Sequence, residues 1–247
     1  MFNAQINNVL EWKIVLGIID RIVDEAMFIC REDGISFRGM DSSHIALLDV
    51  FIPKSSFDKY EFETKFFGLR INDFKNIIHT ADDSDVIDLQ MEKPGTLTIV
   101  VNGALKTIYA IGLLDKSLVN IPVPRMDFET EFTISTSMLV KIISNVETVS
   151  EYVKLNSLPH KIQFSSKGDV SSVEVYLDST NKDLISLKSN KDTFGVYGTE
   201  YIKKIIHDVS NVCQNCTIRY GDDTPLYILI ELPSSIKMEC YLAPKNN

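Results

Sequence analysis

Hydrophobic positions follow two rhythms that alternate along the chain. Three segments carry apolar residues at i, i+3, i+4 and i+7, the helical period: Phe74/Ile77/Ile78/Ala81, Leu139/Ile142/Ile143/Val146 and Ile202/Ile205/Ile206/Val209. A fourth segment near the N-terminus puts Ile14, Val15 and Ile18 in the matching slots, with Glu11 in the first. Each predicts a helix with an apolar stripe for packing on a sheet and a polar opposite face. Between the helices the pattern alternates, as in Ile35-Ser36-Phe37, Ile45 through Ile52, Thr96 through Val101, Val173 through Leu177 and Leu226 through Leu232. Alternation of that kind predicts strands.

The rhythms themselves repeat. Lys13, Asn76, Lys141 and Lys204 share one helical position, at steps of 63, 65 and 63 residues. Lys13-Ile14-Val15 also aligns with Lys141-Ile142-Ile143, and Ile77-Ile78-His79 with Ile205-Ile206-His207, both at an offset of 128. Such a period marks a structural repeat. The pattern predicts an α+β chain of strand, helix and several antiparallel strands per repeat, two repeats per half and two halves. Asp115 through Arg125 holds Pro122 and Pro124, which cannot continue a central ladder, so it reads as an extended surface connector. The expected organisation is an N-terminal domain over 1–114, a connector over 115–127 and a C-terminal domain over 128–247.

Composition narrows the function. Of 247 residues, 45% are hydrophobic and 24% charged, enough for a sizeable core. No apolar run reaches the roughly 18 to 20 residues of a membrane span, and the N-terminus lacks a basic-then-apolar leader pattern. The expectation is a soluble intracellular protein with no membrane partner. The net charge of −9 argues against a protein held on nucleic acid mainly by phosphate contacts. Yet the faces opposite the apolar stripes hold Lys13, Lys75, His79, Lys141, Lys203, Lys204 and His207. Four such helices along one wall would give an acidic protein a local basic surface.

Catalytic chemistry is not patterned. The four histidines have no metal-ligand spacing, and neither a Gly-rich phosphate loop nor a nucleophile elbow is present. Cys213-Gln-Asn-Cys216 lacks the second ligand pair of a zinc ribbon, so its cysteines read as small packing residues, with a disulfide or redox role as the alternative. Asp82, Asp83 and Asp85 read as a solvated turn. A metal-dependent phosphodiesterase built on them is the remote alternative. No enzyme activity and no cofactor are expected.

Two stretches carry a family resemblance. Met40-Asp41-Ser42-Ser43-His44-Ile45-Ala46-Leu47 after a Gly-Ile-x-Phe strand, and Tyr241-Leu242-Ala243-Pro244-Lys245, closely resemble signatures of the proliferating cell nuclear antigen (PCNA) family of sliding clamps. Met1-Phe2-x-Ala4 and Asn120-Ile121-Pro122 are similar too, and the likeness runs the whole length. Length and the short tail look more like archaeal members than eukaryotic ones. The resemblance implies a DNA clamp fold with helices lining the inside of a three-subunit ring and sheets outside. It implies a trimer encircling double-stranded DNA without sequence preference, a processivity factor for DNA polymerase and a platform for replication and repair enzymes. The implied partners are polymerase, clamp loader, flap endonuclease and DNA ligase. The implied location is the nucleoid or cytoplasm of an archaeon, or the nucleus of a eukaryote.

By position, the resemblance places a partner-peptide groove at Met40, His44, Ile45, Leu47, Val119, Ile121, Pro122, Pro225, Leu242, Ala243 and Pro244. It places subunit contacts on edge strands bearing Thr107, Tyr109 and Ile111 on one side and Val173, Val175 and Leu177 on the other. The chain departs from the family where Ile14, Asp20, Asn76 and Ser144 stand at positions often basic or polar, and where Glu11 interrupts a stripe. A less basic inner face fits either a light grip on DNA or a heterotrimer with more basic subunits. A subunit of a heterotrimeric or damage-checkpoint clamp is therefore the alternative function, and a protein-only scaffold is a third.

Overall fold

A computed structural model describes residues 1–115, 121–123, 126–158, 160–189 and 191–245. The expected connector lies largely outside the described residues. The chain forms two compact units. The first comprises Met1–Ser42, Leu48–Pro122 and Leu232–Lys237; the second comprises Ser43–Leu47, Val123–Glu231 and Met238–Asn247. Each unit thus takes in short stretches that a contiguous division by sequence assigns to the other.

The first unit runs β1 (Phe2–Ile6), α1 (Val9–Asp20), β2 (Glu25–Arg31), β3 (Gly34–Met40), β4 (Ala46–Pro53), β5 (Lys59–Phe62), β6 (Phe66–Arg70), α2 (Ile71–His79), β7 (Val86–Met91), β8 (Thr96–Asn102) and β9 (Lys106–Gly112). Its strands order as β5-β1-β7-β8-β9 and as β6-β2-β3-β4. The second unit repeats this strand for strand: β10 (Thr130–Ser135), α3 (Thr136–Glu147), β11 (Tyr152–Leu158), β12 (Lys161–Lys167), β13 (Ser172–Asp178), β14 (Leu184–Ser189), β15 (Thr193–Gly198), α4 (Thr199–Val209), β16 (Asn215–Tyr220), β17 (Leu226–Glu231) and β18 (Lys237–Leu242). Its orders, β14-β10-β16-β17-β18 and β15-β11-β12-β13, are those of the first unit shifted by nine strands. Neighbouring strands pair antiparallel, β1 with β5 and β7 in the first unit and β10 with β14 and β16 in the second among them.

The helices form where the 3.6-residue stripe sits. α2 buries Ile71, Phe74 and Ile78, and α4 buries Ile202, Ile205, Ile206 and Val209, each leaving a polar face outward. α3 is capped by Ser135, whose Oγ accepts from Met138 N at 3.3 Å. Helices pack in pairs, α1 with α2 and α3 with α4. In the first pair Trp12, the chain's single tryptophan, meets Phe74 edge-on at 6.4 Å and Phe57 at 5.7 Å.

One sequence expectation fails at α1. Its polar face is reduced to a narrow strip, because Val9, Glu11, Trp12, Ile14, Val15, Leu16, Ile18 and Ile19 are all buried. Ile14 is therefore core rather than a departure on an outward face. Glu11 does not spoil the stripe either. Its carboxylate accepts from Asn8 Nδ2 at 2.5 Å and from the Ser234 backbone N–H at 3.3 Å, and it also accepts from the Ser234 hydroxyl. Ser56 Oγ in turn donates to Ser234 O at 2.7 Å. A buried carboxylate is tolerated when donors surround it, and here those donors fix a loop 223 residues away in sequence.

The cysteines are all buried and free. Cys213 Sγ lies 3.0 Å from Asn215 O and 3.2 Å from Glu231 O, and burial pushes the Cys216 thiol up to about 12. That chemistry belongs to inert packing thiols. No helix among the described residues is long and apolar enough to cross a membrane.

Replacing Glu11 by Ala leaves Ser234 N–H and Asn8 without their acceptor, so E11A is expected to lose about 2 kcal/mol of unfolding free energy. Urea titration followed by Trp12 fluorescence checks this. An unchanged midpoint would contradict the structural role given to Glu11.

Candidate functional site

Three surfaces collect the residues singled out by sequence. The first is the outward face of each helix pair. Lys13 pairs with Asp83 at 2.8 Å, and Lys75 on α2 with Asp20 on α1. In the second unit Lys203 on α4 pairs with Glu147 on α3 at 2.7 Å, and Lys204 with Glu200 at 2.7 Å. Lys75 and Lys203 are 128 residues apart and each reaches the C-terminal part of the neighbouring helix, so this cross-link is duplicated with the fold. His207 Nδ1 is 2.9 Å from Asp208, while Lys141 and His79 stand exposed. Four of the five predicted lysines on these faces are therefore ion-paired. The exposed pair Lys204–Glu200 adds little stability, but each pair places a carboxylate beside an ammonium that a phosphate would otherwise meet alone.

Asp82, Asp83 and Asp85 do not converge. Asp85 Oδ2 accepts from Asp82 N at 2.9 Å to close the turn after α2, and Asp83 serves Lys13. Among the described residues no three His, Cys, Asp or Glu groups are placed to hold a metal.

The second surface lies in the second unit, where the chain's C-terminal segment meets Ser43–Leu47. Ala243 N–H donates to Ile45 O at 2.8 Å, and Lys245 N–H to Val196 O at 2.8 Å. These bonds hold a chain end that would otherwise be loose. His44 is exposed at a φ of 58°, the left-handed region, which turns the chain so that Ile45 stays 40% exposed. Leu47 and Leu242 are buried, and Pro225, Ala243 and Pro244 are half-buried. Leu47 and Leu242 therefore support this surface from beneath. Met40, Ile121 and Pro122 belong to the first unit, where Ile121 O accepts from Arg38 Nη1 at 3.0 Å. Val119 lies outside the described residues.

Sequence reasoning missed the aromatic part of this region. A cavity of about 570 Å³ is lined by Met126, Phe128, Arg219, Tyr227, Glu239 and Tyr241, together with Asp127. Tyr227 sits 5.7 Å from Phe128 and 5.1 Å from Tyr241, with the Arg219 guanidinium 5.2 Å over its ring. Arg219 Nε is fixed by Glu131 at 2.7 Å, and Tyr227 Oη donates to Glu239 at 3.1 Å. Burial, then the Glu239 carboxylate, pushes the Tyr227 phenol upward, so it stays a donor. The signal in the sequence was Tyr227 and Tyr241 alternating with apolar residues on two strands, but only register brings them together.

The third surface is a pair of strand edges. β9 ends the first unit's five-stranded sheet, and β13 ends its own sheet in the second unit. On β9, Thr107, Tyr109 and Ile111 are half-buried, whereas Lys106, Ile108 (64% exposed) and Ala110 face out. On β13, Val173 and Val175 are half-buried and Leu177 buried, while Glu174 and Tyr176 face out. Exposed apolar edges invite pairing with another strand.

Comparison with known proteins agrees across the full length. Residues 1–121 match the family model for proliferating cell nuclear antigen, N-terminal domain, and residues 122–245 match that for its C-terminal domain. The chain is 31% identical over 245 residues to the DNA polymerase sliding clamp of Cenarchaeum symbiosum (strain A), covering 99% of this chain and 98% of that protein. The figures are the same for the DNA polymerase sliding clamp of Nitrosopumilus maritimus (strain SCM1). Among solved structures, PCNA from Thermococcus kodakaraensis superposes with a TM-score of 0.94 at 21% identity, covering 99% of this chain and 100% of that one. A chain of the PCNA2–PCNA3 complex from Sulfolobus tokodaii gives 0.90 at 20% identity, covering 98% and 99%.

The carboxylate that anchors Arg219 beside the aromatic cavity carries a pH signature. Hydrogen bonds from Lys188 and from Arg219 hold the Glu131 carboxyl below its usual range. A carboxyl lowered in the folded state contributes stability above its unfolded value and loses it as pH falls through the folded one. Thermal melts between about pH 7 and about pH 3 are expected to fall less steeply for E131Q than for the wild type. Parallel curves would remove Glu131 from the account.

Proposed function

The chain belongs to the proliferating cell nuclear antigen family, and on that premise we propose that it acts as a DNA polymerase sliding clamp, a non-catalytic processivity factor. The finer reading is a ring of three copies around duplex DNA that recruits polymerase, clamp loader, flap endonuclease and ligase through short hydrophobic peptides. Its site of action is the intracellular DNA.

The observation that carries the assembly is the pair of free edges in a duplicated fold. One copy's β9 can add to the next copy's β13, a head-to-tail contact that closes into a ring when the rotation fits. The two outward rows are complementary: Lys106, Ile108 and Ala110 on β9 against Glu174 and Tyr176 on β13. Such a contact leaves no exposed edge at either site. A closed ring also answers the charge problem. A chain of net charge −9, with most of its helix-face lysines engaged by carboxylates, makes a poor phosphate-driven DNA binder. Topological retention does not need that affinity, and weak contacts favour sliding.

The peptide site is read as the exposed Ile45, the half-buried Pro225, Ala243 and Pro244, and the Tyr227–Tyr241 cavity. The family resemblance adds Met40, Ile121 and Pro122 to it. Apolar groups flanked by aromatic walls are the usual anchor for a short hydrophobic peptide. A second reading keeps the fold but places this chain in a heterotrimer, and the near-neutral helix faces favour it. More basic sister subunits would then supply the missing charge.

Two expected outcomes separate the surfaces. K13A/K141A/K204A should weaken binding to linear duplex DNA at low salt while leaving retention on a closed circle unchanged. It should also flatten the salt dependence by roughly 0.9 for each phosphate no longer neutralised, with subunit assembly unchanged. I45A should weaken binding of a fluorescent polymerase-derived peptide by about 1 to 3 kcal/mol and leave retention intact. If the lysine variant loses peptide binding instead, the two assignments are exchanged or wrong.

A further inference from the structure

The peptide surface of the second unit draws on two segments that the chain reaches separately, the turn 221–225 between β16 and β17 and the tail 243–245 after β18. Both are tied to β15, the end strand of its four-stranded sheet. Val196 O accepts from Lys245 N–H at 2.8 Å. Phe194 N–H donates to Asp222 Oδ1 at 3.0 Å, and Tyr197 Oη donates to Thr224 O at 2.9 Å. Lys191, just before the strand, reaches Asp222 Oδ2 at 3.2 Å. Asp223, between the two anchored residues, has a φ of 55°. A left-handed residue of this kind persists where its surroundings fix it.

The duplicated fold separates what the architecture requires from what the second unit adds. Register makes β6 the counterpart of β15. Ala26, Met27 and Phe28 face Leu69, Gly68 and Phe67, as Val153, Lys154 and Leu155 face Tyr197, Val196 and Gly195. The bond to the tail recurs, since Gly68 O accepts from Leu114 N–H at 2.9 Å where Val196 O accepts from Lys245. The anchor on the turn does not. Leu69 stands in the place of Tyr197 and has no hydroxyl to give, and Phe67 stands in the place of Gly195. The two exchanges belong together: a Cβ at Gly195 would lie 2.3 Å from Tyr197 Oη, so the glycine clears the space that the phenol occupies. Tyr197 is wholly buried, and burial pushes its phenol upward, which keeps it a donor. Both changes occur only in the unit whose turn carries Pro225.

We propose that Tyr197 and Asp222 are positioning residues of the peptide site: they touch no peptide, but set Pro225 at the spacing from Ala243 and Pro244 that a hydrophobic anchor needs. The inference rests on the reading of Ile45, Pro225, Ala243 and Pro244 as that site. Pro225 has no N–H with which to fix itself, so its place is set through Thr224, whose carbonyl Tyr197 holds. A turn that samples other arrangements lowers the apparent affinity by the fraction of time it is competent. That loss falls on the association rate. Removing a side chain that touches the peptide falls on dissociation instead.

Stopped-flow anisotropy with the full chain and the fluorescent polymerase-derived peptide reads both rates. Y197F, which removes only the hydroxyl, and D222A are each expected to slow association about threefold, and Y197F/D222A about tenfold, with dissociation unchanged. D222N keeps an oxygen to accept from Phe194 N–H and should restore the wild-type association rate. I45A should speed dissociation instead. Because the Asp222 side chain is 38% exposed, D222A and its D222N rescue carry the test if Y197F folds poorly. Unchanged association in the variants of Tyr197 and Asp222, with faster dissociation in I45A, overturns the positioning role and leaves the site standing. Faster dissociation in Y197F at an unchanged association rate also overturns it, since Tyr197 would then act as a contact. A peptide indifferent to I45A and to all the other variants overturns the reading of the site itself.

Discussion

Everything else in each unit depends on burying the apolar faces of its two paired helices. α1 and α2 do this through Trp12, Phe74, Ile18 and Ile78, and α3 and α4 through Ile142, Ile143, Ile205 and Ile206. Close-packed interiors resist change of volume, so once these stripes are seated the order of strands around them is settled and repeats in both units. The outward faces are then free of packing duties. Their content can be set by charge alone.

That freedom makes the ion pairs informative. Lys75 with Asp20 and Lys203 with Glu147 tie one helix to its neighbour at corresponding places in the two units. A surface meant to grip phosphate tightly would leave such ammonium groups uncompensated. Here the carboxylates dilute the positive field within a Debye length, in keeping with the proposed weak contact with duplex DNA. The strand edges fit the same account, since β9 and β13 carry exposed apolar side chains that a lone subunit has no reason to keep.

Local periodicity made much of this legible. The stripes at Phe74, Leu139 and Ile202 are strongly amphipathic, so their helices follow from spacing, and the offset of 128 between Lys13 and Lys141 exposed the duplication. α1 defied the pattern because a helix buried on most sides has no polar face to find, and because the partner of Glu11 is Ser234, far along the chain. The aromatic cavity of Phe128, Tyr227 and Tyr241 was invisible for a related reason: alternation says which face a residue takes, but register decides which residues meet.

The central claim is that DNA is held by enclosure rather than by affinity. The most direct measurement loads the chain with a clamp loader onto nicked circular DNA, then follows the bound fraction before and after a single restriction cut. Retention on the circle with rapid loss from the linear product is the predicted result. Equal release from both forms would mean that contacts, not a closed ring, hold the protein to DNA, and would contradict the account.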